Sequence, residues 1–133
     1  MAAESELKAL LSQMQPRLME GEYVFCSVPD SQYGALAELT PLASYQEAEG
    51  LSLLLRRDQA DVAGLSHDSI FKGITLNVHS SLDAVGFTAA VSTKLANHDI
   101  AANVIAACYH DHVFVPAHQA EFALQLLAEL SDL

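Results

Sequence analysis

The order of hydrophobic patterns from Ile74 to the C-terminus constrains the fold more than any other feature. Residues 74–79 alternate apolar and polar side chains, which predicts a strand with one buried face. Residues 84–95 carry apolar side chains three and four positions apart, which predicts a helix. Alternation returns over residues 100–108, a polar reversal leads into a strand at 113–115, and a second amphipathic helix follows Pro116. The predicted order is strand, helix, strand, strand, helix.

The first half of the chain predicts the same order. The predicted segments are a strand at 23–28, about two turns of helix at 33–39, strands at 44–48 and 51–56, and a helix at 58–65. Placing Gly34 on Gly86 aligns the two halves at an offset of 52 positions, which indicates a degenerate internal repeat. An additional helix precedes the first strand and is expected to end before Pro16.

The second half resembles an ACT domain in the segments SSLDAVGF, TKLANHD and IAANVI, and its second strand and hairpin look like those of ACT domains found in tandem pairs. The resemblance implies an α+β fold with two tandem ferredoxin-like βαββα modules, whose antiparallel sheets are covered by helices. Residues 1–66 would hold the N-terminal helix and the first, degenerate module. Residues 67–133 would hold the second module.

Composition limits the partners. The chain has 17 acidic residues against six Lys or Arg and a formal net charge of −11, so nucleic acid and anionic membrane surfaces are poor partners. We expect a cytoplasmic protein, because the start of the chain does not look like a signal peptide and no apolar run reaches membrane-spanning length. Cys26 and Cys108 lie in apolar strand patterns and are expected to be buried free thiols.

The histidines are the residues that suggest a metal site or a catalytic site. His110 and His112 flank Asp111 in the predicted hairpin, a spacing that two metal ligands can use. No third clustered ligand accompanies them, and the serines and cysteines lie outside known nucleophile motifs. We therefore expect no metal, no cofactor and no catalytic activity, and keep a small metal-dependent enzyme at this hairpin as a minor alternative.

The polar loop before the helix is the better candidate site. A strand that enters a helix through a polar turn leaves backbone N–H groups at the helix N-terminus available for a carboxylate. Ser81 and Asp83 offer further hydrogen bonds, and Gly86 permits a close approach. The alternative is structural: Ser81 or Asp83 caps the helix and Gly86 relieves crowding between helices. Helix propensity alone favours Gly86→Ala.

The ACT resemblance implies which residues hold a ligand. They would be the loop residues Ser80, Ser81, Leu82, Asp83, Ala84, Val85 and Gly86 and the facing strand residues Asn103, Val104 and Ile105, with Asp30 and Gly34 as first-half equivalents. Pro29 removes one N–H donor from that first-half site. The expected function is a non-catalytic regulatory protein that binds a small molecule, most simply an amino acid. The alternative is a ligand-free interaction module. A homodimer is expected, because each module leaves sheet edges to cover.

Overall fold

The computed structural model describes residues 2–78 and 82–132, with side chains from residue 6 onwards. The chain forms α1 (Ala2–Ser12), β1 (Pro16–Leu18), β2 (Tyr23–Pro29), β3 (Ala43–Glu47), β4 (Gly50–Arg56), α2 (Arg57–Val62), β5 (Phe71–Leu76), α3 (Phe87–Ala96), β6 (Asn103–Ala106), β7 (Asp111–Pro116) and α4 (Ala120–Ser131). Two compact units result: a split unit, made of residues 1–20 and 72–133, and a continuous unit, residues 21–71. The predicted mixture of helices and antiparallel strands is confirmed.

The split unit is built around a sheet in the order β1, β5, β7, β6. Strand β1 pairs antiparallel with β5, and β6 pairs antiparallel with β7. The apolar stripes of α3 and α4 pack on one face of this sheet, and Leu7, Leu10 and Leu11 of α1 join the same core. Its buried members are Met14, Ile74, Leu76, Val78, Phe87, Val91, Leu95, Ile100, Val113, Val115, Ala120, Ala123, Leu126, Leu127 and Leu130.

The N-terminal segment supplies a strand that the sequence did not predict. Pro16 of β1 lies opposite Leu76, and the chain on either side is fixed to the same unit by hydrogen bonds from Met19 N to Gly73 O and from Asn77 N to Met14 O, each 2.8 Å long. Proline is tolerated because β1 lies at the end of this unit's sheet. Residues 1–20 are therefore compact with residues 72–133, whereas the predicted modules divide the chain between residues 66 and 67.

The continuous unit has three antiparallel strands in the order β3, β4, β2. The helix predicted at residues 33–39 is wrong: this segment forms only a single 3-10 turn over Ala37–Leu39. Leu36 and Thr40, on either side of that turn, have φ angles of 60° and 53°. Left-handed residues interrupt the backbone geometry that a longer helix needs.

Local differences from the predictions occur at element ends. The helix predicted from residue 84 begins three residues later, at Phe87. Cys26 is buried as predicted, but Cys108 is exposed, because β6 ends at Ala106 and the chain bends away. Neither cysteine is in a disulfide. Among the residues that the structure describes, no helix is both long and apolar enough to cross a membrane.

Candidate ligand-binding site

The predicted ligand loop of the split unit is an open surface. Leu82 and Val85 are 66% and 82% exposed, and Asp83 and Ala84 are exposed as well. Ser80 and Ser81, both predicted to hold the ligand, lie outside the described residues, and so does the hydroxyl group that Ser81 was predicted to contribute. Two large apolar side chains turned to solvent in so short a segment favour contact with a ligand or a partner.

Gly86, rather than a polar residue, occupies the position just before α3. Its φ angle is 94°, in the left-handed region, and it provides no side chain to cap the helix. The N-cap position of this helix is therefore Gly86 and not Asp83, because α3 starts four residues after Asp83. The expectation that Gly86→Ala is favourable is wrong, since Gly86 lies outside the helix in a conformation that strains an L side chain. The first N–H groups of α3 are left without a side-chain cap from Gly86.

A neighbour that the sequence did not reveal stands beside this glycine. A Cβ atom built on Gly86 would lie 3.3 Å from Cδ2 of Leu7, a residue of α1. Leu7 is half-buried and also packs on the core of the split unit. Gly86 therefore allows α1 to approach the beginning of α3 closely. The helical stripe containing Leu7 was visible in the sequence, but its contact with a loop 79 positions later was not.

The strand predicted to face the loop, β6, turns its residues to different sides. Val104 packs against the core cluster that contains Phe87, the first residue of α3. Because side chains alternate along a strand, Asn103 and Ile105 project to the other face. The side-chain Nδ2 of Asn103 donates to the carbonyl oxygen of Phe114 over 3.3 Å. Of the three predicted strand residues, Val104 is thus the one on the same face as the start of α3.

The first-half residues Asp30 and Gly34 both have left-handed backbones, with φ angles of 57° and 99°. Both are exposed. Gly34 lines a cleft of about 570 Å³ within the continuous unit, and a Cβ atom built on it would meet no atom within 4 Å. The Gly34 and Gly86 positions, aligned in the sequence, therefore share a backbone conformation but have different surroundings.

A second depression in the continuous unit is lined by charged residues. Its volume is about 290 Å³. Arg57 Nη1 lies 2.9 Å from Glu22 Oε1, and Arg56 Nε lies 3.2 Å from Asp58 Oδ1. The guanidinium beside Asp58 lowers the pKa of that carboxyl group. These opposite charges satisfy one another, so the depression offers little unbalanced charge to a ligand.

The histidine hairpin does not assemble a metal site among the described residues. No three His, Cys, Asp or Glu side chains are placed to hold a metal ion there or elsewhere in that part of the chain. Nδ1 of His112 is 3.1 Å from the Thr75 hydroxyl group. Burial lowers the pKa of His112, and His110 lowers it further, whereas Asp111 acts in the opposite direction. This arrangement favours a neutral imidazole engaged with the sheet.

Family models identify both halves of the chain. A model of the ACT domain matches residues 2–72, and another model of the ACT domain matches residues 69–129. The two matches meet at residues 69–72, whereas residues 1–20 form one compact unit with residues 72–133. No curated protein matches the sequence.

Two solved structures share the fold of most of this chain. A Vibrio cholerae protein of unknown function, described as a possible transport protein, is 49% identical, with a TM-score of 0.84 and coverage of 97% of this chain and 98% of that one. An Agrobacterium tumefaciens protein is 17% identical, with a TM-score of 0.74 and 90% of each chain covered.

The fold also appears in a regulatory protein. The ligand-free regulatory subunit of aspartate kinase from Thermus thermophilus is 14% identical and has a TM-score of 0.63, with 86% of this chain and 95% of that chain covered. At this identity the likeness concerns the fold alone. Together with the two family matches, it accounts for the repeated order of strands and helices. The chain belongs to the ACT domain family and consists of two tandem ACT domains of ferredoxin-like fold.

Proposed function

We propose that this protein is a non-catalytic regulatory protein that binds an amino acid at the loop preceding α3. ACT domains are typically regulatory modules that bind amino acids. The observation that carries the proposal is the loop before α3, which is exposed over residues 82–85 and leads to a helix whose N-cap residue, Gly86, has no side chain. Backbone N–H groups at a helix N-terminus, together with the helix dipole, favour a carboxylate.

The remaining groups suit the other parts of an amino acid. An ionised Asp83 would attract the ammonium group, and Val104 and Val85 offer apolar contact to a side chain. Ser80 and Ser81 are proposed to line the site, as the family resemblance implies, and Ser81 to add a hydrogen bond. The first-half residues Asp30 and Gly34 are proposed as the equivalent position of the other domain.

A thermal-shift screen with the twenty amino acids tests this function. A ligand that binds only the folded protein stabilises it by about 2.7 kcal/mol at a hundredfold excess over its Kd. Titration calorimetry on Asp83→Ala should then show affinity reduced by about 1.5–3 kcal/mol, the contribution of a charge-assisted hydrogen bond. Asp68→Ala, at an exposed loop position of the continuous unit, is the matched control and should bind like the unchanged protein.

The alternative function is a ligand-free module that regulates a partner by contact. The position of Leu7 favours this alternative, because its side chain already occupies space beside Gly86, 3.3 Å from a Cβ atom built there. A screen in which no amino acid raises the melting temperature would support this alternative and contradict the amino-acid site. Equal affinity of Asp83→Ala and the unchanged protein would remove the loop from the proposed site.

We further propose a cytoplasmic homodimer. In the split unit β6 lies at the end of the sheet, and an edge strand presents backbone N–H and C=O groups that a second chain can pair with. Sedimentation velocity at micromolar concentration should give a dimer. A monomer under these conditions would contradict pairing between chains.

A further inference from the structure

A cleft of about 570 Å³ in the continuous unit contains Gly34. It lies between the segment 33–42 and the strands β3 and β4. Leu51 and Leu53, each 1% exposed, are among its lining residues and belong to the core of this unit. The volume falls within the range of about 300–1,000 Å³ that small-molecule sites occupy.

The segment that lines the cleft does not form a full helix after the first strand of this domain. A helix at residues 33–39 would pack an apolar stripe on the sheet. The single turn Ala37–Leu39, held between the left-handed residues Leu36 and Thr40, covers less of it. Left-handed backbones at residues other than glycine persist only where their surroundings impose them.

Gln46 of β3 fixes the position of this irregular segment. Its Oε1 atom accepts a hydrogen bond of 2.7 Å from Tyr33 N, and its Nε2 atom donates one of 3.0 Å to Ser31 O. These two bonds tie the beginning of the segment to the edge strand. The wall of the cleft is therefore held in place by the protein itself.

The chemistry of the lining limits what can bind. The lining residues are Tyr33, Gly34, Ala35, Ala37, Thr40, Pro41, Leu42, Ala43, Ser44, Leu51 and Leu53. None of them carries a carboxylate, ammonium, guanidinium or imidazole group. Tyr33, Thr40 and Ser44 bring hydroxyl groups, and the rest offer apolar or backbone atoms. A charged ligand would lose its hydration without gaining a side chain of opposite charge.

The rim adds a second observation. Tyr33 and Leu42 both line the cleft, yet they are 82% and 50% exposed. Large apolar side chains exposed beside a concave surface are typical of binding sites. We infer that this cleft is a binding site for a neutral, mainly apolar small molecule with a hydrogen-bonding group. It is separate from the amino-acid loop at α3. It contains Gly34, the equivalent position proposed for the first domain, so binding of a neutral probe in preference to charged ones would exclude an amino acid at Gly34 without affecting the proposal at α3.

The test uses three probes of similar size and different charge: benzyl alcohol, benzylamine and benzoate. Each is titrated into the ¹⁵N-labelled full chain and followed by two-dimensional NMR. Benzyl alcohol should produce saturable shifts at the amides of Gly34, Ala35 and Ala43. Benzylamine and benzoate should bind at least about tenfold more weakly, because the cleft cannot compensate their charge.

Two substitutions establish the location. Ser44→Trp fills the cleft from β3, and Ser27→Trp, at an exposed position on the opposite face of this unit's sheet, is the matched control. Benzyl alcohol should no longer bind Ser44→Trp and should bind Ser27→Trp unchanged. Ala37→Trp, which fills the cleft from the loop, gives the same test if Ser44→Trp does not fold.

Three results would overturn the inference. One is the absence of saturable shifts with benzyl alcohol, and another is binding that survives both cleft-filling variants. The third is a change of the same amide shifts with protein concentration when no probe is present. That result would mean that a second copy of the chain occupies the cleft. Equal binding of all three probes would overturn the assignment of ligand class.

Discussion

Gly34 and Gly86 occupy matching positions in the two ACT domains and have nearly the same backbone conformation, with φ angles of 99° and 94°. Gly86 is followed at once by the helix Phe87–Ala96, and Leu7 of α1 lies next to it. Gly34 is followed by an irregular segment with one 3-10 turn, and the space beside it is open. The glycine therefore has a side chain packed beside it in one domain and borders a cleft in the other.

The difference extends to the cores. Among the described residues, fifteen buried residues form the core cluster of the split unit and six form that of the continuous unit. The larger core includes a complete α3, together with Met14 and the leucines of α1, which come from the N-terminal segment. Because burial of apolar surface is the main stabilising term, the split unit should be the more stable part of the molecule.

The largest expected effect compares two buried leucines. Leu95→Ala empties a position in α3 that is fully buried, and should cost about 2–5 kcal/mol of unfolding free energy. Leu53→Ala should cost less, near the lower end of that range, because the space it leaves adjoins an existing cleft whose walls can adjust. Urea unfolding followed by circular dichroism measures both. A greater loss at Leu53 would contradict the difference drawn between the two cores.

A smaller effect distinguishes the two glycines directly. Gly34→Ala and Gly86→Ala should each cost about 1–2 kcal/mol, because an L side chain is strained in the left-handed conformation. Gly86→Ala should cost more than Gly34→Ala, since its new Cβ atom would lie 3.3 Å from Leu7 Cδ2. Adding Leu7→Ala should remove the excess, which a double-mutant cycle of thermal unfolding measures. Equal costs at the two glycines would mean that the Leu7 side chain moves aside without a measurable loss of stability.

The smallest effect is a pH dependence within the split unit. The pKa of His112 is lowered chiefly by burial, so the unfolded chain binds its proton more readily than the folded one. This contribution to stability is complete above the unfolded value of about 6.5 and decreases as the pH falls below it. His112→Gln should reduce the loss of stability between about pH 7 and pH 5, whereas the exposed control His118→Gln should retain it. An unchanged profile in His112→Gln would assign the titration to another group.

Sequence patterns predicted more of the fold than of the site. Alternation and helical spacing are local properties, so they identified the strands around Leu51 and Val113 and the helices around Val91 and Leu127. Spacing failed at residues 33–39, where apolar residues suggested a helix but left-handed backbones at Leu36 and Thr40 prevent one. The position of Gly86 in the repeat was visible, but its place outside the helix was not, because helix ends depend on local backbone geometry.

The sequence by itself determined which faces are buried, the repeated order of elements and the relationship between Gly34 and Gly86. Only the tertiary structure decided that β1 pairs with β5, that Leu7 stands beside Gly86 and that the shortened helix leaves a cleft over Leu51 and Leu53. The physical reason is that the period of the apolar residues shows which face of a segment is buried, but not which other segment covers that face. Which distant segment covers it is settled by the packing and hydrogen bonds of the whole chain.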